Sequence, residues 1–243
     1  LEASARLVLP GYKDRANLNA ELRRDAPTGS RIAQHLLFLL AASNLDWRLV
    51  SADVRSAFLK GDPSVSRELY VQTPFSGPRV KTWRNGSLFR LKKGVFGLAD
   101  APRQWYLRLK KEMEAAGWTT SALDGALWLR FDKNTGVLNG ICVGHVDDLL
   151  FAGGAEAYDS LQAVGSVLGF GKVSEDDFTW CGKRIRRCKE TRHICVSMEE
   201  YHENMSTVYV PKERMKSPES PLSSRELSQF RAVSGCLLRL VSQ

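Results

Sequence analysis

Asp147 and Asp148 stand side by side between two apolar runs, Gly140-Ile-Cys-Val-Gly-His-Val and Leu149-Leu-Phe-Ala-Gly, a pattern that reads as a β-hairpin with both carboxylates at its turn. A tight hairpin favours Asn-Gly or Asp-Gly, because its turn needs residues that tolerate positive φ. An Asp-Asp pair relieves none of that strain and adds like-charge repulsion. A divalent cation would offset the repulsion, since hard Mg²⁺ selects carboxylate oxygens and binds through one or two of them together with substrate phosphates. A solvated polar turn is the competing reading of the same two residues.

A second segment bears on the choice. Trp47-Arg-Leu-Val-Ser-Ala-Asp-Val-Arg-Ser-Ala-Phe-Leu reads as a half-buried strand ending near Asp53, with Leu49, Ser51 and Asp53 on one face and Val50, Ala52 and Val54 on the other. One Asp from a first strand and two from a later hairpin form the constellation of a two-metal nucleotidyl-transfer site.

Several elements must position these residues. Ser30 can cap a helix running to about Ser43, with Ile32, Leu36, Leu39 and Leu40 inward. Asp100-Ala-Pro-Arg opens the clearest helix, with Asp100 as N-cap, Pro102 in the first turn and Gly117 as terminator. Trp105, Tyr106, Leu109, Met113 and Ala116 fall in one apolar stripe of this helix. Arg103, Arg108, Lys110 and Lys111 lie opposite and serve either phosphate or solvent. The Gly61 to Lys93 stretch, with Pro74, Gly77, Pro78 and Gly86, reads as short strands and loops. Residues 155–168 are helical in pattern, Phe178-Thr-Trp-Cys-Gly-Lys-Arg-Ile reads as a hairpin bent at Gly182, and helical segments follow near 199–207 and 224–241. The neighbourhood of that hairpin is strongly basic, with Lys183, Arg184, Arg186, Arg187, Lys189 and Arg192 against Glu190 alone, either a phosphate-binding cluster or a solvated charge run.

Composition narrows the class. The chain of 243 residues is long enough for one large domain or two or three small subdomains. The longest apolar run, Leu36 to Ala42, is too short to span a bilayer, and the N-terminus has no signal pattern, so a soluble, non-secreted chain is expected. Five cysteines without paired Cys-x-x-Cys spacing suit reduced thiols inside a cell, and Cys181, Cys188, Cys195 and His193 match no usual zinc spacing. Residues 1–111 hold 20 Lys and Arg against 9 Asp and Glu, while the remainder holds 15 against 18, so a basic half faces solvent or a polyanion such as nucleic acid. With no initiating Met and an end, Arg239-Leu-Val-Ser-Gln, inside a helical pattern, the chain is expected to be a fragment.

Five stretches in order resemble the reverse transcriptase of copia-type (pseudoviral) LTR retrotransposons: Ala5-Arg-Leu-Val; Asp53-Val-Arg-Ser-Ala-Phe-Leu-Lys-Gly; Glu68-Leu-Tyr-Val-Gln-Thr-Pro; Leu91-Lys-Lys-Gly-Val-Phe-Gly-Leu-Ala-Asp-Ala-Pro-Arg-Gln-Trp-Tyr; and Val146-Asp-Asp-Leu-Leu. Where that family usually carries Tyr before Val-Asp-Asp, this chain has His145. The resemblance implies an α+β fold, a right-hand polymerase whose antiparallel-sheet palm is backed by helices, with partial fingers and thumb. It divides a single domain into fingers (1–27 and 63–93), palm (28–62 and 94–190) and partial thumb (191–243).

The resemblance also implies roles. Asp53, Asp147 and Asp148, with the Val54 backbone, would hold two Mg²⁺ ions, Mn²⁺ being a possible substitute. Arg6, backbone groups of Ser56 and Ala57, Phe58, Gly97, Arg103, Gln104 and Lys172 would meet the incoming deoxynucleoside triphosphate, with Phe58 under the sugar and Lys172 as proton donor to pyrophosphate. Phe58 could equally be a core residue. His145, Val146, Trp180, Cys181, Gly182, Lys183 and Arg184 would meet primer and template, RNA or DNA. The implied setting is intracellular, a cytoplasmic particle and/or the nucleus, with no membrane. A degenerate nucleic-acid-binding copy without synthesis and a metal-dependent nuclease are the rival readings.

Overall fold

The computed structural model describes residues 8–18, 22–63, 68–73, 84, 86–188, 190–205, 208–216 and 219–241. They fall into two compact units, Leu1–Glu175 and Asp176–Gln243. The first runs through α1 (Arg31–Ser43), β1 (Arg48–Val54), β2 (Leu69–Gln72), β3 (Leu88–Leu91), α2 (Ala101–Ala115), β4 (Thr119–Thr120), β5 (Leu127–Phe131), β6 (Leu138–His145), β7 (Asp148–Gly153), α3 (Ala155–Leu168) and β8 (Phe170–Glu175). Short 3-10 turns lie at Gly11–Lys13, Arg15–Leu18 and Ala57–Lys60. Six strands form one antiparallel sheet in the order β4-β5-β6-β7-β1-β8, and β2 pairs with β3 apart from it. The mixed helix and antiparallel-sheet architecture expected from sequence is present.

The central strands are buried on both faces, which is why β6 and β7 read as nearly unbroken apolar runs. Val50, Ala52, Val54, Cys142, Leu149 and Phe151 pack with Trp105, Leu109 and Met113 of α2 and with Ala157, Leu161, Val164 and Leu168 of α3. Leu49, Ile141, Val143 and Leu150 point the other way, and α1 lies on β6 and β7. The helix expected over residues 155–168 forms with those bounds and stops at Gly169, whose φ of 72° suits a residue without Cβ.

Two helices differ in detail from the expectation. Ser30 Oγ caps α1 by accepting from Ala33 N–H at 3.1 Å, yet the inward face is Ala33, Gln34, Leu37 and Ala41 rather than Ile32, Leu36, Leu39 and Leu40. Ile32 is 80% exposed. A helix apolar nearly all round does not encode its own orientation by periodicity, and a tightly packed sheet selects the face carrying small alanines. In α2 the stripe of Trp105, Tyr106, Leu109 and Met113 is buried as expected, but Asp100 makes no side-chain cap bond. Pro102 at the second helical position has no N–H to offer it.

The second unit contains β9 (Asp177–Trp180), β10 (Lys183–Arg187) and β11 (Ile194–Ser197) in one antiparallel sheet, then α4 (Glu199–Glu203), α5 (Lys212–Lys216) and α6 (Ser224–Val241). The β9–β10 hairpin bends at Cys181 and Gly182, with φ of 50° and 80°, the pattern of a type I′ turn. Among the described residues no helix is long and apolar enough to cross a membrane.

The packing of α1 yields a direct test. Leu37→Ala should cost about 2–5 kcal/mol of unfolding free energy, as for buried leucines generally, whereas Ile32→Ala should stay within about 0.5 kcal/mol. Urea denaturation midpoints of the two variants check it; equal losses would place Ile32 inward after all.

Candidate functional site

Two strand pairings build the site. Antiparallel pairing sets Asp53, near the end of β1, directly opposite Asp148, the first residue of β7, and sets His145 of β6 opposite the same Asp148. Directly paired residues share a face, with Cβ atoms roughly 4.5–5.5 Å apart. The structure therefore brings Asp53, Asp148 and His145 into one row, on the face that carries α1. Asp147 is the second residue of the two-residue turn joining β6 and β7, and its carbonyl accepts from Val54 N–H at 2.9 Å. The turn is thus Val146-Asp147 rather than Asp147-Asp148. Its positive φ, 59°, falls on Val146.

Opposite Asp53 the β8 strand bulges. Ala52 pairs with Val173 and Val54 with Phe170, so Gly171 and Lys172 together face the single Asp53. A Cβ on Gly171 would lie 2.6 Å from Asp53 Oδ2, so the carboxylate occupies space that only glycine leaves free. Lys60 fastens this region by donating to the carbonyls of Leu168 and Gly169, where α3 ends. Arg55 N–H donates to the same Gly169 carbonyl at 3.3 Å.

Crowding of the acids shows in their ionisation. Partial burial, then the charges of Asp147 and Asp53, push the Asp148 carboxyl up to about 6. Asp53 is raised by burial and by Asp147, with Arg55 and Lys60 pulling in the opposite direction. Lys60 is lowered by burial and by Arg55, against the pull of Asp53.

The other sequence-predicted residues are held by separate contacts. Ser56, exposed, takes a left-handed φ of 52°, Ala57 is buried, and Phe58 packs edge-on against Phe96 with ring centroids 5.3 Å apart. Gly97, at φ 95°, is abutted by the backbone of Leu9. Arg103 pairs with Asp25 at 2.7 Å, and Gln104 packs against Gly61. Lys172 is exposed in the β8 bulge. Arg6 and Lys189 lie outside the described residues. In the second unit, Trp180 and Lys183 are buried while Arg184 is exposed and pairs with Asp177 at 2.7 Å. The basic run is therefore no uniform surface: strand alternation turns Lys183 and Arg187 inward, with Arg187 on Asp176 at 2.6 Å, and leaves Arg184 and Arg186 outward.

Sequence reasoning missed Gly171, Lys60 and Asp25. An isolated glycine in a strand pattern signals a bulge, so Phe170-Gly-Lys carried a readable clue. Lys60 and Asp25 act across long sequence separations and left none.

The profile of the family described as reverse transcriptase (RNA-dependent DNA polymerase) matches residues 2–164. That match covers the whole of the Asp53 and Asp147-Asp148 framework. This chain belongs to the reverse transcriptase family. It is similar to the retrovirus-related Pol polyprotein from transposon TNT 1-94 of Nicotiana tabacum, 27% identical over 207 residues, 83% of this chain and 15% of that protein. It is also similar to the Pol polyprotein from transposon RE2 of Arabidopsis thaliana, 30% identical over 196 residues, 78% of this chain and 12% of that one. The chain therefore spans only a small part of the length of these relatives. The motif resemblance to copia-type retrotransposon reverse transcriptases holds.

Reverse transcriptases imply magnesium, and the residues present can be tested against it. Among the described residues no group of three or more His, Cys, Asp or Glu is arranged to hold a metal ion. The donor chemistry nevertheless suits Mg²⁺, which needs only one or two protein carboxylates beside substrate phosphates. Asp53 and Asp148 are cross-strand neighbours whose mutual repulsion a cation would relieve.

The raised Asp148 acid has a sign that can be checked. Its folded value lies above the ordinary carboxylate value of about 4, so the associated stability is present below about pH 4 and is lost as pH rises through about 6. Asp148→Asn should stabilise the metal-free protein at pH 7.5 by about 1 kcal/mol, after allowing for solvent screening of a half-buried group. Thermal melts should show that gain vanish below about pH 4, and Mg²⁺ should raise the melting temperature of the unaltered chain more than that of the variant.

Proposed function

We propose that this chain carries out RNA-directed DNA synthesis, extending a primer on an RNA or DNA template with deoxynucleoside triphosphates. The observation that carries the reading is the cross-strand apposition of Asp53 and Asp148 at one end of the sheet, in a chain of the reverse transcriptase family. Asp53 and Asp148 would hold Mg²⁺, or Mn²⁺, with Asp147 and the Val54 backbone completing the shell once substrate phosphates draw them together. Bound there, the ions supply positive charge that activates the primer 3′-hydroxyl and neutralises the triphosphate and the departing pyrophosphate.

The chain's own groups orient the reactants. Backbone N–H groups of Ser56 and Ala57 receive triphosphate oxygens, and the Phe58 ring, braced by Phe96, lies beneath the sugar and excludes a ribose 2′-hydroxyl. Gly97 and Gln104 line the nucleotide side. Arg103 reaches a phosphate by exchanging its Asp25 partner, and Arg6, outside the described residues, is the second arginine assigned to the triphosphate. Lys172 would give a proton to pyrophosphate, a reading supported by its exposure in the bulge beside Asp53. His145 and Val146 flank the primer terminus, while the Trp180-Cys181-Gly182 turn and Arg184 meet the primer backbone, with Lys183 supporting that strand from within. In this reading the right-hand subdivision is fingers at 1–27 and 63–93, palm at 28–62 and 94–190, and partial thumb at 191–243.

A nucleic-acid-binding remnant without synthesis is the second reading, favoured by His145, which stands where the family usually carries Tyr. Extension of a labelled primer by the purified chain, with Mg²⁺ and deoxynucleoside triphosphates, separates the two. Asp53→Asn and Asp148→Asn should each slow extension by about 100-fold or more, since metal stabilisation of transferred charge is worth several kcal/mol. Template-primer binding without any extension by the unaltered chain would establish the remnant.

Salt dependence reports the nucleic-acid path. Replacing Arg184 and Arg186 with Ala should reduce the slope of log affinity against log salt by up to about 1 per lost phosphate contact. Lys183→Ala, at a buried position, should lower thermal stability and leave that slope unchanged.

A further inference from the structure

The two residues that turn β6 into β7 are held from outside at both carbonyls. Asp147 O accepts from the Val54 N–H at 2.9 Å. Val146 O accepts from the indole Nε1–H of Trp105 at 2.7 Å. Trp105 belongs to α2 and is 1% exposed, in the core beneath the hairpin with Trp128 and Leu149.

Val146 needs holding. Its φ of 59° lies in the left-handed region, where a β-branched side chain is a genuine outlier. A two-residue turn with positive φ at its first position ordinarily takes glycine there. Released from that conformation, the Val146-Asp147 peptide would rotate, and Asp147 and Asp148 would turn with it. Phenylalanine would fill nearly the same apolar space at position 105. Only the indole N–H reaches the turn carbonyl, and buried tryptophan N–H groups are placed where a partner exists.

We infer that Trp105 is a positioning residue, whose indole N–H latches the strained Val146 peptide and so presents Asp147 and Asp148 at the end of the sheet. The inference rests on reading that end of the sheet as the polymerase site. It gives the tryptophan of the Arg-Gln-Trp-Tyr stretch a task beyond core filling, acting through a backbone carbonyl and touching no substrate.

The test is a double-mutant cycle on the full chain, with Trp105→Phe, which removes the N–H and keeps a ring, and Val146→Gly, which removes the strain. The readout is the Mg²⁺ concentration giving half-maximal thermal stabilisation, accompanied by kcat and KM for primer extension. Trp105→Phe should raise the Mg²⁺ midpoint about tenfold, the range found when residues supporting metal ligands are lost. Whatever Val146→Gly does alone sets a new baseline, and adding Trp105→Phe to it should cost less than about twofold, because a strain-free turn needs no latch. A tryptophan that only fills the core would lower the melting temperature equally in both backgrounds and leave the Mg²⁺ midpoint unmoved; that result overturns the inference.

A second measurement needs no variant. In ¹⁵N-tryptophan-labelled protein the Trp105 indole proton should exchange only on global unfolding, and rapid exchange from the folded state overturns the latch even if Trp105→Phe fails to fold. If the unaltered chain shows no Mg²⁺ stabilisation and Asp53→Asn changes nothing, the polymerase-site reading fails, and with it the task assigned to Trp105. If Mg²⁺ stabilises the chain and Asp53→Asn abolishes the effect, while Trp105→Phe matches the unaltered chain, the site stands and the latch alone falls.

Discussion

The register between β1 and β7 is the constraint on which the site depends. In an antiparallel ladder a slip of one residue sends every side chain of the strand to the opposite face. For β1 such a slip would bury Asp53 among the residues of α2 and α3 and expose Val54 in its place. The pairing of Arg48 with Gly153 through Asp53 with Asp148 prevents it, because Val50, Ala52 and Val54 are apolar where α2 and α3 pack, and Leu49 is apolar beneath α1. Leu49 and Val50 could exchange faces at little cost, but a slip would turn the polar Ser51 and Asp53 into the apolar core under α2 and α3, and that excludes it. The carboxylates meet as a consequence of the hydrophobic core.

Departures from ordinary local structure gather at the same end of the sheet. Asp148 holds its proton to about 6, Val146 takes a φ of 59°, and β8 bulges where Gly171 makes room for Asp53. Strain and charge concentrated in one small region are maintained by the structure around them, and such concentrations are found where function is carried. The supports come from different parts of the chain: Trp105 from α2, Lys60 after β1, and the end of α3.

Counting charges overstates the positive surface. Arg103 is joined to Asp25, Arg108 to Glu112 and Asp62, Arg130 to Glu156, and Arg187 to Asp176. These cations fasten one segment to another, and Arg130 and Arg187 are buried. What a polyanion would meet is the remainder, including the outward Arg186; Arg184, also outward, is itself joined to Asp177. The formal net charge of +8 already subtracts these acids; what the pairing decides is where on the surface the excess positive charge is left.

Short-range order is where the sequence by itself was decisive. The hairpin around Asp147, the helix at 155–168, the Ser30 cap, the buried stripe of α2 and the bend at Gly182 all rest on periodicity or turn chemistry within a few residues, and each forms. Ordered motifs were likewise sufficient to recognise the family. Tertiary structure alone decided which face of α1 turns inward, because that helix is apolar nearly all round. It also decided that the strained turn residue is Val146, that Gly171 faces Asp53, and that Arg103 is held by Asp25. Those outcomes depend on which distant segments approach one another, and local pattern carries no record of a neighbour brought in by packing. Lys183 and Arg187 lie between the two cases: strand alternation could have turned them inward from sequence, but only the neighbouring β9 and the ion pair with Asp176 show which side of β10 is the interior.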